Sequence, residues 1–245
     1  MNQSKSADIK IERFSFTGSG GEYFGIWIVN ILLTIVTLGI YSAWAKVRNN
    51  QYFYGNTLLA ESSFEYTAQP LQILKGRIIA VILFLLYNVL ASAVPTLGLV
   101  LFLLLMLALP WIVMNSLAFN ARYSEYRGIT FLFDRNTFDA YKALLIYPVL
   151  LMIIPIALFV GVVVMSPSGF ESNEPPTFSD AGIAIAFTAM AIGLVAYAVL
   201  SYVNAKYVVE HHSYGGQDFH LKLDRPIEFI KVYLAAGGLL LVIAT

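Results

Sequence analysis

All three histidines of the chain fall in one stretch, Glu210-His211-His212-Ser213-Tyr214-Gly215-Gly216-Gln217-Asp218-Phe219-His220. Imidazole and carboxylate groups bind divalent metals, so His211, His212 and His220, with Asp218 beside them, are the candidate ligands. Their spacing opposes it. Adjacent histidines on a helix point apart, and His220 alternates away from Phe219 on a strand. The stretch reads as a polar interfacial loop, and no metal or cofactor is expected. Gly18-Ser19-Gly20-Gly21 precedes a helix start, where backbone N–H groups can cradle an anion. It lacks the Gly-Lys-Ser/Thr ending of a phosphate-binding loop and reads as a strand-to-helix turn. No Ser-His-Asp set, HExxH motif or paired carboxylates emerge, and the chain has no cysteine for thiol or zinc-thiolate chemistry. A protein without enzymatic activity is expected.

The elements that carry these residues are set by composition. The chain has 245 residues, of which 58% are hydrophobic and 12% charged. Soluble domains average about 45–50% and about 25%. Mean hydropathy is +0.72. So few charges would not cover a soluble surface, and the expectation is an integral membrane protein in contact with the lipid bilayer. The formal net charge is zero, so no basic excess points to nucleic acid. The start, MNQSKSADIKIERFSF, is polar and mixed in charge, unlike a cleaved secretory signal.

About 20 apolar residues span the roughly 30 Å of bilayer hydrocarbon. Candidate spans are Tyr23 to Ala45, Ile78 to Ala93, Leu97 to Ala118, Ala143 to Met165 and Ala181 to Val203. A sixth begins near Ile227 but contains Lys231, and its uninterrupted part is too short to cross, which suggests a truncated chain. Every Lys and Arg lies before the first span or within 46–77, 119–142 and 204–231. The positive-inside rule puts those three loops in the cytoplasm, and the turn at Pro95 and residues 166–180 outside. One crossing by 23–45 would put the amino terminus outside. Its own Lys5, Lys10 and Arg13 favour the inside, with Thr37-Leu38-Gly39-Ile40-Tyr41 breaking the run into a re-entrant hairpin. Within the spans Asn30, Asn88 and Asn115 are the intramembrane polar candidates. They can line a pathway or join helices by hydrogen bonds, and Asn30 and Asn115 read as the latter. No ionisable side chain lies at mid-membrane, which argues against a proton relay, a charged coupling site or a voltage sensor.

The cytoplasmic stretches resemble one another. Pro70 to Lys75, Thr137 to Lys142 and Pro226 to Lys231 each lead into an apolar helix and end on lysine. Before each comes an alternating pair: Phe64 and Tyr66, Phe131 and Phe133, Phe219 and Leu221. Period-two aromatics suit a short strand, and Asp139–Lys142 and Glu228–Lys231 are i,i+3 pairs. Phe14-Ser15-Phe16 begins a partial further copy. The expected fold is therefore an all-α polytopic membrane protein. It is a single membrane domain over 1–245, a helical bundle of parallel repeats of short strand plus helical hairpin, with small cytoplasmic β elements. The copies would be 11–45 (partial), 46–118, 119–203 and 204–245 (truncated).

Phe14-Ser15-Phe16-Thr17-Gly18, Gly21-Glu22, Asn30, Thr37-Leu38-Gly39-Ile40-Tyr41-Ser42-Ala43-Trp44-Ala45, Tyr52, Asn56-Thr57 and Phe64-Glu65-Tyr66 resemble the YjgN-like bacterial inner membrane protein family, also catalogued as a domain of unknown function. The likeness covers essentially the whole chain and is strongest over 11–80. The family usually has Pro where this chain has Ala43, and its members are commonly longer. The resemblance implies a multi-pass bacterial inner membrane protein and supplies no activity, substrate or catalytic residue. Two functions fit these readings. The first is binding or transport of a small or lipidic solute. The alternative is a structural or assembly protein whose cytoplasmic repeat loops bind a partner protein.

Overall fold

The computed structural model describes residues 12–164, 179–221, 227–233 and 235. The candidate outside loop, Lys222, Arg225, Pro226 and most of the final apolar segment lie outside these residues.

Short strands alternate with helix pairs along the chain. Strand β1 (Phe14–Phe16) is followed by helices α1 (Gly20–Val36) and α2 (Ser42–Gly55), and then by the hairpin β2 (Thr57–Leu59) and β3 (Ser62–Tyr66). Helices α3 (Pro70–Ala93) and α4 (Pro95–Arg122) lead to a second hairpin, β4 (Ser124–Tyr126) and β5 (Ile129–Phe133). Helix α5 (Thr137–Tyr141) continues through a π-turn at Lys142–Ile146 into α6 (Tyr147–Val164). Helix α7 (Asp180–Glu210) leads to a third hairpin, β6 (His212–Tyr214) and β7 (Gln217–Asp218), and residues 227–233 are again helical.

Among the described residues four helices are long and apolar enough to cross a membrane: Pro70–Ala93, Pro95–Arg122, Thr137–Val164 and Asp180–Glu210. They coincide with four of the expected spans. Helix α3 buries none of its side chains, and its exposed Ile79, Phe84 and Leu86 suit hydrocarbon rather than water. Each start has its own stop on fraying. Pro70 takes the first helical position of α3, and Asn136 Oδ1 accepts from the N–H groups of Phe138 and Asp139 at the start of α5.

The run 23–45 is not one helix. It breaks at Thr37–Tyr41, where Leu38 has φ of 50° and Gly39 has φ of 91°. The chain then returns along α2, and β1 pairs antiparallel with β2, Phe14 opposite Leu59 and Phe16 opposite Thr57. Both ends of the α1–α2 hairpin therefore reach the same sheet. Gly18 allows this closure, because a Cβ there would lie 2.6 Å from the Phe16 ring and 2.8 Å from the Tyr52 hydroxyl.

The all-α expectation needs correction, because the β part is larger than small separate elements. The described strands form one seven-stranded sheet in the order β1-β2-β3-β4-β5-β6-β7. The reading of one strand before each outgoing helix missed the other strand of each hairpin. The reason lies in the turns. All three hairpins turn on two consecutive left-handed residues: Ala60-Glu61, Arg127-Gly128 and Gly215-Gly216. This conformation matches the twist of the flanking strands but favours Asn or Gly, so Ala60-Glu61 gives no turn signal in the sequence. The second hairpin is also tied to the first. Arg127 donates to Ser62 Oγ at 3.0 Å and to the Ala60 carbonyl at 2.9 Å.

The chain divides into two compact units. One holds Met1–Leu103, Ala118–Phe133 and Tyr214–Gly216. Its core is Val47 of α2 with Tyr66 and Ala68, against which Tyr54, Ile73, Phe119 and Tyr123 pack. The other holds Leu104–Leu117, Asp134–Ser213 and Gln217–Thr245. Buried on α7 are Ala189, Ala196, Ala198 and Leu200, and the small alanines allow close helix packing.

Candidate functional site

The three candidate amides are placed differently from one another. Asn30 lies midway along α1 and is 4% exposed. Its Nδ2 donates to Asn49 Oδ1 at 2.9 Å, joining α1 to α2, while its own Oδ1 is buried with no donor. Asn88 and Asn115 instead donate to carbonyls on their own helices, Phe84 at 2.7 Å and Trp111 at 2.8 Å.

Two cations flank Ser42 at the start of α2. Arg77 of α3 donates to Ser42 Oγ in the first turn of α2. Ser42 Oγ in turn donates to the Gly39 carbonyl at 2.5 Å. Lys46 is one helical turn from Ser42 on the same face of α2. Burial pushes the Lys46 ammonium below the usual lysine value of 10.5, and the Arg77 guanidinium lowers it further. Both side chains are half-buried, whereas the neighbouring Arg48 and Lys75 are exposed.

The sign of the resulting pH dependence follows from proton counting. The folded chain releases the Lys46 proton at a lower pH than the unfolded chain. In the window below 10.5 the unfolded chain therefore binds more protons, and stability rises with pH. Denaturant unfolding between pH 7 and 10.5 in anion-poor buffer should show this rise in the native chain and a flatter profile in Lys46→Met. Identical slopes would mean that Lys46 is in ordinary surroundings.

The histidines are divided among elements. His211 Nε2 lies 3.7 Å from Asp139 Oδ2, and its Nδ1 is 2.8 Å from the Tyr207 carbonyl. His212 Nδ1 faces the Val208 carbonyl, and His220 is exposed beyond β7. Among the described residues no three His, Asp or Glu side chains gather to hold a metal. The glycine-rich turn is closed by its own side chains. Ser19 Oγ accepts from the Glu22 N–H at 3.2 Å, and the Tyr52 hydroxyl donates to the Ser19 carbonyl at 2.8 Å.

The repeated aromatics meet on the sheet. Phe64 stacks on Phe14 at 6.0 Å, on Tyr126 at 4.7 Å and on Phe131 at 6.2 Å. Phe131 continues to Tyr214 at 5.0 Å. Tyr66 lies at the end of β3 and Phe133 at the end of β5, while Phe219 and Leu221 follow β7, where the Phe219 N–H donates to the His212 carbonyl at 3.0 Å. Lys142 pairs with Asp139 at 3.3 Å and Lys231 with Glu228 at 2.9 Å, as their spacing predicts. Lys75 lies in the second turn of α3. Sequence reasoning passed over Tyr126 and Tyr214, although both occupy the position just before a left-handed turn pair. It also passed over the meeting of Ser42, Lys46 and Arg77, which lie on two helices and share no motif.

In the second unit an apolar cleft of about 650 Å³ opens between α6 and α7. Met152, Pro155 and Phe159 line it from α6, and Ile183, Ala186 and Gly193 from α7. The volume is within the range of small-molecule sites, about 300–1,000 Å³. No ionisable side chain lines it.

These features can be set beside known proteins. Inner membrane protein YjgN of Salmonella typhimurium is 34% identical over 169 residues, covering 67% of this chain and 41% of that protein. Inner membrane protein YjgN of Escherichia coli K12 is 28% identical over 223 residues, covering 89% of this chain and 54% of that protein. The chain thus spans about half the length of the curated relatives it matches. No solved structure matches it. The pattern of the family described as "Bacterial protein of unknown function (DUF898)" matches residues 11–245, and the chain belongs to that family.

Proposed function

We propose that the chain is a multi-pass protein of the bacterial inner membrane that binds a lipidic solute without converting it chemically. The single observation that carries the solute reading is the α6–α7 cleft. Its wall is apolar, and it is formed by two helices suited to cross hydrocarbon. A polar solute there would lose its hydrogen bonds to water without replacement, whereas an acyl chain loses nothing. The names of the relatives support the inner membrane.

Three observations support the arrangement. The basic loops 46–77, 119–142 and 204–231 all contribute strands to one sheet, which favours their lying together on the cytoplasmic side. Strand β1 belongs to the same sheet, which favours an inside amino terminus and a re-entrant α1–α2 hairpin. The three hairpins share their left-handed turn pairs, which favours descent from one parallel repeat.

The test is labelling by a diazirine fatty acid in nanodiscs, with unlabelled fatty acid as competitor. Saturable labelling of peptides 152–163 and 182–193 is expected. Ala186→Trp fills the cleft and should reduce it about tenfold, a loss of about 1.4 kcal/mol. Labelling that neither saturates nor responds to Ala186→Trp would be bulk lipid contact and would remove the cleft from the function.

A further inference from the structure

The tip of the α1–α2 hairpin is an unusual surface. Leu38 is 94% exposed with its backbone in the left-handed region, and Val36 and Ile40 are 77% and 57% exposed. A left-handed backbone is costly for a branched apolar residue, so this conformation is maintained only where the surroundings repay it. Immediately below the tip Tyr41 and Trp44 stack at 6.2 Å. Such rings favour the boundary between hydrocarbon and headgroups. Level with these rings Arg77 donates to Ser42, and Lys46 follows one turn further along α2; all three are half-buried. Along α2 the order of surfaces from the tip is therefore aliphatic, then aromatic, with the cations at and just beyond the rings. A membrane leaflet presents hydrocarbon, interface and phosphate in that order.

Among the described residues no carboxylate pairs with Lys46 or Arg77. The first turn of α2 contains no acidic residue, and no side chain caps it. Ser42 already donates to Gly39 and accepts from Arg77, which fixes the guanidinium beside the helix. Two like charges are thus held close together and partly out of water, an arrangement that an anion between them would relieve. A tetrahedral anion with several acceptor oxygens can engage a guanidinium and an ammonium together.

We propose that Lys46 and Arg77, with Arg77 positioned by Ser42, bind a phosphate anion beside the inserted tip of the α1–α2 hairpin. The phosphate can be that of a lipid headgroup or free in the cytoplasm. This rests on the membrane reading above but not on the α6–α7 cleft.

The test uses the full chain in a neutral detergent, with thermal unfolding as the readout. Three probes are titrated: dioctanoyl phosphatidylglycerol, dioctanoylglycerol and inorganic phosphate. Dioctanoyl phosphatidylglycerol is expected to raise the midpoint, and dioctanoylglycerol, which has no phosphate, is not. Lys46→Met and Arg77→Met should each weaken the effect about tenfold or more, as loss of a hydrogen bond to a charged group does. Lys46→Arg and Arg77→Lys should retain most of it. Arg48→Met and Lys75→Met, which remove exposed cations of the same surface, should leave it unchanged, as should Ala186→Trp. If inorganic phosphate protects at the same concentrations through the same two residues, the source is free phosphate. If it does not, the source is a lipid. Protection unchanged in Lys46→Met and Arg77→Met would overturn the proposal. So would an equal loss in Arg48→Met and Lys75→Met, which would reveal only general attraction to a basic surface. Should Arg77→Met fail to unfold cooperatively, Ser42→Ala tests the same position by releasing the guanidinium.

Discussion

Phe64→Ala is expected to destabilise the unit that holds the first two hairpins by about 3 kcal/mol, the lower end of the range for Phe→Ala because the ring is half-buried. Phe64 is the junction of the aromatic row. Its ring meets Phe14 on β1, Tyr126 on β4 and Phe131 on β5. Removing it deletes three stacking contacts, each worth about 0.5–1.5 kcal/mol beyond simple burial. Tyr126 would also lose its nearest ring while its hydroxyl remains bonded to the Leu59 carbonyl at 2.5 Å. Phe64→Leu keeps most of the apolar volume and loses the three ring contacts, so it should cost less than Phe64→Ala but still about 1.5 kcal/mol. Denaturant unfolding followed by tyrosine fluorescence gives both values. A cost near zero for Phe64→Leu would mean that volume alone matters and that the row is incidental.

The second large effect is expected where α3 turns into α4. The two helices are joined by Val94 alone, and Gly98 comes one turn later. A Cβ at Gly98 would lie 2.7 Å from Ala91 Cβ and 3.0 Å from Ala91 Cα. The second of these is backbone and cannot move aside without opening the hairpin. Gly98→Ala should therefore cost about 1–3 kcal/mol, the usual penalty for overpacking. In most helices the same change would stabilise, because alanine is the better helix former. Ala91→Gly in the same chain removes the first contact and should recover part of the loss. A stabilising Gly98→Ala, measured as a higher unfolding midpoint in detergent, would show that the helices are not in contact there.

Much of the helical part was legible because hydrocarbon imposes a simple rule. A span must be apolar along its whole length, and the four long helices match the apolar runs to within a few residues at most ends. Gly39 marked the break in 23–45 because the left-handed turn there needs a residue without a Cβ, although Leu38 shares the conformation without any sequence signal. The sheet was legible only by half. Phe64, Phe131 and their alternating partners stood out as strands, whereas Thr57–Leu59 and Ser124–Tyr126 are three residues each, too short for any periodicity. Asn30 stood out as a polar residue in an apolar run, but Asn49 was not named as its partner, because pairing across a hairpin depends on the angle between its helices. The Lys46–Arg77 meeting was hidden for the same reason. Each residue reads alone as a boundary cation, and only the packing of α2 on α3 makes them neighbours.

The order of the strands bears on how such a chain is made. Spatial neighbours in the sheet are also successive in synthesis, from β1 through to β7. Each new strand can therefore pair with one already in place, and no strand has to wait for a distant later segment before it finds its position. The sheet can grow at the margin of the newest strand, and only that margin and the free edge of β1 are open to pairing with another chain, which limits aggregation while the chain is being made. A chain halted part-way through synthesis is therefore left with a shorter sheet whose strands already stand in their final order.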